Sequence, residues 1–152
     1  MTASDPDFER FRLRRLVEEL TRLGEVEVHE EPVALADLSS IIEASSKAVL
    51  FRKAGPEELE LVAGVMGSRR RLAIALGVEE EDSVREYERR MANPQAHFEV
   101  PSSDAPVHQV VLTGDEIDLT TLPFHLQHDL DGGPYISSAM DFSVDQIGRA
   151  HV

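Results

Sequence analysis

The sequence predicts an α/β domain followed by the first strands of a second, all-β unit. Up to about residue 92, apolar residues recur alternately at helical and at strand spacing. A stretch at residues 93–106 then carries three prolines and several small polar residues, as linkers do. Beyond it, strand-type alternation predominates. We therefore place a boundary near residue 105, with an α/β domain at 1–105 and an incomplete β unit at 106–152.

The α/β domain is predicted to begin with a helix. Ser4 or Asp5 can cap this helix with Pro6 at its first position, and Gly24 can end it. Its apolar residues fall near helical spacing: Phe8, Phe11, Leu16, Leu20 and Leu23. A half-buried strand follows at residues 25–29, because valines there alternate with charged side chains.

A second helix and two short strands come next. The helix is predicted at residues 35–47, and its inward-facing residues are Leu38, Ile41 and Ile42. The strands are predicted at 48–51 and 59–66, separated by the turn-forming pair Gly55-Pro56. This succession of helices and strands indicates an α/β rather than an all-helical domain.

Two further helices complete the first domain. Ser68 can cap a helix that Gly77 ends. The last helix begins at Asp82 or Ser83 and stops before Asn93, which precedes a proline.

The β unit contains two predicted strand regions. The first is at residues 107–112, and an extended loop follows Leu119. The second is a hairpin with a strand at 135–144, a turn at 145–148 and a new strand starting at 149–152. In the strand 135–144 the even-numbered side chains are expected to face a core, and the odd-numbered ones to line a site or solvent.

Composition and charge exclude several classes of protein. The net charge is −14, from 29 acidic and 15 basic residues, which argues against a nucleic-acid partner. The chain has no cysteine, so disulfides and thiolate metal sites are excluded. We find no apolar stretch that predicts a membrane span or a signal peptide, and we expect a cytoplasmic protein without a membrane partner.

The densest group of potentially reactive side chains lies at residues 123–133. His125 and His128 are followed by Asp129 and Asp131, and imidazoles with carboxylates can bind a divalent metal. A His-x-x-His pair needs a helical turn to converge, whereas the proline and glycines here favour an irregular loop. A closed metal site, a loop facing an active site and a plain loop are therefore all compatible with this segment.

The other candidates carry less chemistry. The segment 64–68 precedes a helix and could cradle a phosphate, but it lacks the P-loop lysine, so tight strand-to-helix packing is the default. The arginines at 69–71 are expected to fan outward in a structural role. Four serines have no nearby histidine to activate them: Ser39, Ser40, Ser45 and Ser46. Three histidines are isolated: His29, His97 and His108.

Five blocks in order resemble the N-terminal part of the UbiD-like family of decarboxylases. The first two are Gly24-Glu25 with the strand that follows it, and AVLF at 48–51. The third is VAGVMGSRRRLAIALGV at 62–78. The last two are VVLTGDEIDLTTLP at 110–123 and GGPYISSAMDF at 132–142. Each block alone is weak, but their order and spacing make the resemblance specific.

The resemblance implies a fold and an activity. In that family an N-terminal α/β domain precedes a split flavin-binding β-barrel, whose hairpin would start here at Pro134. The implied activity is reversible decarboxylation of an aromatic or α,β-unsaturated carboxylic acid, the small-molecule substrate. The resemblance further implies that the chain is truncated and inactive alone, because the family's catalytic Glu–Arg–Glu network lies in later segments. A homo-oligomer, or a second chain that completes the barrel, is the implied partner.

The resemblance also implies cofactors and two site residues. Family enzymes use prenylated FMN, whose phosphate is held through Mn²⁺ with K⁺ nearby. His151 matches the position of a metal-ligating Asn, and imidazole can also ligate a metal. Ser137 matches a Thr or Ser position that lines the cofactor. No catalytic residue of the family is matched within the chain.

Two other functions remain open at this stage. One is a subunit that completes a split flavin-binding barrel with a second polypeptide. The other is a noncatalytic homologue whose α/β domain serves only in interaction.

Overall fold

The computed structural model describes residues 12–94 and 99–136, and the backbone of 143–144 and 150–151. The helices are α1 (Leu13–Arg22), α2 (Leu35–Ala44), α3 (Arg69–Leu76) and α4 (Ser83–Ala92). The strands are β1 (Val26–His29), β2 (Ala48–Ala54), β3 (Leu59–Ala63), β4 (Ser143–Val144) and β5 (Ala150–His151). Short 3₁₀ helices lie at Glu80–Asp82, Ser102–Asp104, Pro106–Gln109, Gly114–Glu116 and Leu119–Thr121. Within 12–94 and 99–136, no helix has the length and apolarity needed to cross a bilayer.

A three-stranded sheet forms the centre of the α/β domain. Strand β2 lies in the middle, parallel to β1 and antiparallel to β3. Its side chains alternate between two cores. On one face the buried cluster is Leu20, Val26, Ala48 and Leu50; on the other it is Leu38, Val49, Phe51 and Ala54. Helices α1 and α2 therefore cover opposite faces of the sheet, and the predicted mixed α/β character of this part is confirmed.

Helix α1 is shorter at its start than predicted. It begins at Leu13, because Arg12 has extended backbone angles and its side chain makes no capping hydrogen bond. The prediction of a continuous helix from Pro6 is therefore wrong. The residues predicted to cap its start, at positions 4–6, lie outside the described residues. The predicted end is confirmed, since Gly24 adopts a left-handed φ of 75°.

Helix α2 ends at Ala44 rather than at residue 47. The side chain of Ser45 explains the early end. Its hydroxyl donates to Oε2 of Glu27 at 2.8 Å and accepts from the backbone N–H of Lys47 at 3.2 Å. Such local side-chain bonds compete with continuation of a helix.

The caps predicted for α3 are present. The hydroxyl of Ser68 accepts from the backbone N–H of Arg71 at 3.1 Å. Gly77 ends the helix in the left-handed conformation with φ 72°. The predicted limits of α4 are also confirmed, since it runs from Ser83 to Ala92.

The predicted strand at 107–112 is wrong. Residues Pro106–Gln109 form a 3₁₀ helix, and no strand is assigned between it and Thr113. A strand needs a neighbour to complete its hydrogen-bond ladder, and in the described part of the chain none lies beside this segment. The alternation of apolar residues was thus insufficient to predict a strand here. Pro106 instead favours the start of a helical turn.

The predicted terminal hairpin is confirmed in part. Strands β4 and β5 pair antiparallel, with Ser143 opposite His151 and Val144 opposite Ala150. At the predicted start of the strand, Tyr135 forms only a single bridge to His125 and Ile136 is in no strand. Residues 137–142 and the predicted turn lie outside the described residues. The split flavin-binding barrel and the boundary near residue 105 stay predictions.

Glu86 on α4 should remain ionised at unusually low pH. Hydrogen bonds from Arg89 (2.7 Å) and Arg90 (2.8 Å) lower its pKa from 4.5 to about 2. Because the folded pKa is depressed, this contribution to stability is present above pH 4.5 and is lost as the pH falls toward 2. A ¹³C titration of the carboxyl group should give a midpoint near 2. The double variant Arg89→Gln/Arg90→Gln should return it toward 4.5, and an unchanged midpoint would contradict the assignment.

Candidate functional site

The segment Pro123–Ile136 packs beside helix α2. The hydroxyl of Ser39 donates to the carbonyl oxygen of Leu126 at 2.5 Å, which fixes the segment to the helix. An open cleft of about 880 Å³ lies between them. Its lining includes the polar residues Glu43, His128 and Asp129. The two predicted histidines therefore do border a cleft, since His125 also lines it.

Hydrogen bonds within the segment close it into a compact loop. The backbone N–H of Tyr135 donates to the carbonyl of His125 at 3.3 Å, as a single β-bridge. The side-chain amide of Gln127 donates to the carbonyl of Tyr135 at 3.1 Å. Oδ2 of Asp131 accepts from the backbone N–H groups of Gln127 (3.2 Å) and His128 (2.8 Å). The carboxylate of Asp131 therefore supports the loop's backbone, as an aspartate in a turn does.

The possibility that this loop forms a closed metal site is not supported by the structure. Nδ1 of His128 lies 3.6 Å from Asp131 and its Nε2 lies 3.9 Å from Glu43. Nδ1 of His125 instead faces the carbonyl of Pro123 at 3.4 Å. The two rings do not converge because the loop is irregular, and in 12–94 and 99–136 no three metal-binding side chains come together. That this loop faces an active site stays a prediction.

The turn at 64–68 is filled by an arginine of the chain itself. Arg71 is buried, although the sequence had predicted that it faces outward. Its guanidinium donates to the carbonyls of Gly64 and Ser46, both at 3.1 Å. A Cβ on Gly67 would lie 2.9 Å from Nη2 of Arg71, so the arginine packs directly against this turn.

Glu25 completes the network around Arg71. Its carboxylate lies 3.5 Å from Nη1 of Arg71 and 2.7 Å from Nε of Arg70. Sequence reasoning assigned all three arginines at 69–71 the same role. The signal that separates Arg71 is its place three residues after the cap Ser68, which turns it back over the preceding turn. The predicted structural role is thus confirmed for Arg70 and Arg71, but the predicted outward direction is wrong for Arg71.

A second polar cluster joins β1 to the end of α2. Glu27 lies between the hydroxyl of Ser45 at 2.8 Å and Nε2 of His29 at 3.0 Å. The hydrogen bond from Ser45 and then that from His29 lower the pKa of Glu27. Because the carboxylate stands between the hydroxyl and the ring, His29 is not placed to activate Ser45 as a nucleophile.

The remaining predicted residues are placed only in part. Nδ1 of His108 lies 2.9 Å from the carbonyl of Ser102 and 3.2 Å from its hydroxyl. His97 and the cofactor-lining candidate Ser137 lie outside the described residues. His151, the metal-ligand candidate, has its backbone on β5 opposite Ser143.

Two family models match the chain consecutively. Residues 17–91 match the N-terminal domain of 3-octaprenyl-4-hydroxybenzoate carboxy-lyase. Residues 98–151 match the Rift-related domain of the same carboxy-lyase. The chain therefore belongs to the UbiD-like carboxy-lyase family, and the resemblance found in the sequence is confirmed.

Proposed function

We propose that this chain supplies the α/β domain and the first barrel strands of a reversible decarboxylase that uses prenylated FMN. Its substrate class is an aromatic or α,β-unsaturated carboxylic acid. The observation that supports this is the consecutive match to both carboxy-lyase domains over residues 17–91 and 98–151. UbiD-family enzymes generally use prenylated FMN. We further propose that the catalytic carboxylates come from other segments of the family fold, so that the 152 residues alone are inactive.

Two residues of this chain would contribute to holding the cofactor. His151 would ligate Mn²⁺ through a neutral imidazole, a ligand type that suits divalent transition metals. Ser137 would line the cofactor through its hydroxyl. The pairing of β5 with β4 is compatible with this role, because it holds the backbone of His151 on a hairpin strand. When bound, prenylated FMN supplies the reactive carbon and the electron sink for loss of CO₂.

The α/β domain supports these strands rather than reacting itself. The loop Pro123–Ile136 leads directly into the segment that carries Ser137, and its bonds to Ser39 and within itself fix where that segment starts. A site that is fixed by bonded loops keeps its geometry better than one on an unattached chain. The role that we assign to the described residues is therefore positioning.

The reaction is tested in the assembled enzyme, whether one longer polypeptide or a complex of two chains. The enzyme is loaded with prenylated FMN, Mn²⁺ and K⁺ and offered aromatic and α,β-unsaturated acids. We expect release of CO₂ from an acid of one of these classes, and ¹³CO₂ exchange into it in the reverse direction. Absence of both from all such acids would contradict the proposal.

His151→Ala should weaken Mn²⁺ binding in the assembled enzyme by at least about tenfold, because loss of even an outer-shell partner costs ten- to a hundredfold. His151→Asn should retain the metal, since an amide oxygen can replace the imidazole. Metal content after dialysis, measured by elemental analysis, gives the result without reference to activity. The matched control is His108→Ala, a histidine outside this hairpin. Equal metal content in all variants would show that His151 is not a ligand.

A further inference from the structure

Helix α4 contacts the rest of the domain through its polar face. Ser83 is buried, and its hydroxyl donates to the carbonyl of Glu80 at 2.8 Å. Further along the helix, Nη2 of Arg90 donates to the carbonyl of Leu76, the last residue of α3, at 2.6 Å. Glu86, whose side chain is 15% exposed, accepts from Nε of Arg90 at 2.8 Å. The polar face, which an amphipathic helix usually leaves to solvent, is therefore the face through which α4 packs.

The apolar face of α4 is left exposed. Val84, Tyr87 and Met91 are 67%, 56% and 65% exposed. Their spacing of three and then four residues places them in one row on the helix, as in the a and d positions of a heptad. We name this row the α4 stripe. Single exposed apolar residues are common on protein surfaces, but a row of three on a helix that packs through its polar face favours a binding surface.

The charge that surrounds the α4 stripe is negative. Each arginine of α4 is held by an acidic residue of the same segment. Arg85 lies 3.1 Å from Asp82, and both Arg89 (2.7 Å) and Arg90 (2.8 Å) bind Glu86. Four exposed glutamates have no ion-pair partner within residues 12–94 and 99–136: Glu79, Glu80, Glu81 and Glu88. The charges that remain for a partner are therefore carboxylates.

Two of these glutamates border the α4 stripe directly. Glu88 is four residues after Val84 and three before Met91, so it lies beside the row on the helix surface. Glu81 is three residues before Val84, at the end where the chain enters α4. An apolar row with acidic flanks is complementary to an amphipathic helix whose polar flanks are basic.

We propose that the α4 stripe binds a basic amphipathic helix of a partner protein. The partner's apolar side chains pack against the stripe, and its Lys or Arg side chains pair with Glu81 and Glu88. A strand is disfavoured as the occupant, because a helix offers no unpaired backbone edge. An anionic membrane surface is disfavoured, because the unpaired carboxylates repel its head groups. A second copy of the chain is disfavoured, because its own stripe carries the same acidic flanks.

The test measures binding of a designed peptide helix to the 152-residue chain. The basic probe is about 15 residues long, the length at which isolated helices become stable, with leucines at heptad spacing between flanking lysines. Fluorescence anisotropy of the labelled probe gives its dissociation constant. We expect saturable binding, and at least about tenfold weaker binding of an acidic probe in which glutamates replace the lysines. A basic probe that does not bind saturably, or binds no more tightly than a scrambled peptide of the same composition, overturns the proposal.

A charge-reversed variant places the contact at the flanks of the stripe. Glu81→Lys/Glu88→Lys should bind the basic probe at least about tenfold more weakly than the parent does, and the acidic probe more tightly. The matched control is Glu30→Lys/Glu31→Lys, which makes the same change in net charge at exposed positions before α2. It should bind both probes nearly as the parent does. Equal effects of the two variants would show attraction to the net charge alone and overturn the proposal.

A second variant removes apolar side chains from the stripe. Tyr87→Ser/Met91→Ser should also weaken the basic probe at least about tenfold, because apolar anchors carry most of the energy of such a contact. Its matched control, Val110→Ser/Val111→Ser, removes two exposed apolar side chains that lie outside α4 and should leave binding unchanged. Circular dichroism confirms that each variant is folded. Unchanged binding by the stripe variant overturns the proposal.

The other possible occupants give different results. Vesicles of phosphatidylcholine and phosphatidylserine should not sediment with the chain, since their surface is negative. A second copy on the stripe would shift the NMR signal of the Met91 methyl group with protein concentration alone, and we expect no such shift. Sedimentation that the stripe variant abolishes, or a concentration-dependent shift, overturns the proposal. These readouts require no cofactor, so they are independent of the proposed reaction.

Discussion

Replacing Arg71 with alanine should reduce the free energy of unfolding of the α/β domain by about 3–5 kcal/mol, the cost of breaking a buried ion pair from one side. Arg71 is 4% exposed and donates to the carbonyls of Gly64 and Ser46. Without it, both carbonyls lose a charged donor and Glu25 loses a partner. Glu25, whose side chain is only 19% exposed, then keeps its charge with one partner fewer, which is the reason for the large effect.

Urea unfolding followed by circular dichroism measures this change, and Arg70→Ala is its matched control. Arg70 neighbours Arg71 on the same helix and pairs with the same Glu25, but its side chain is 60% exposed. Exposed ion pairs contribute about 0–1 kcal/mol, so Arg70→Ala should have a small effect. Equal losses for the two variants would show that the buried bonds of Arg71 do not carry the stability.

Phe51→Ala should destabilise the domain by about 3–5 kcal/mol, the usual cost of emptying a buried aromatic site. Phe51 is fully buried in the core beneath α2 and stacks on the ring of His29, with centroids 5.2 Å apart. Phe51→Leu keeps most of the apolar volume and should cost considerably less. The same urea measurement compares the two. A loss below about 1 kcal/mol for the alanine variant would mean that the site collapses around the cavity.

The α/β domain was predictable because local signals and burial agree there. Ser68 and Gly77 bound α3, and the inward-facing Leu38 identifies the buried face of α2. The strand predicted at 107–112 failed for a different reason. Its alternation requires a neighbouring strand, and sequence periodicity does not report whether one is present.

The candidate site was less predictable than the fold. Composition identified the loop with His125 and His128, but not that the rings point to different partners. Whether two side chains converge depends on the path of the backbone between them. In an irregular loop, unlike a helix or a strand, the spacing of residues in the sequence does not predict that path. The inward turn of Arg71 was missed for a related reason. Three successive arginines have the same composition signal, and only their position relative to the cap Ser68 separates them.

The position of β2 at the centre of the sheet also sets an order for folding. Strand β3 follows β2 after a short turn, so closing this hairpin orders few residues. Strand β1 pairs with β2 only across the whole of α2, and its contacts must wait until that helix is placed. The hairpin can therefore form in the folding transition state and β1 join it later. Lost contacts within the hairpin would then slow folding, whereas lost contacts of β1 would mainly accelerate unfolding.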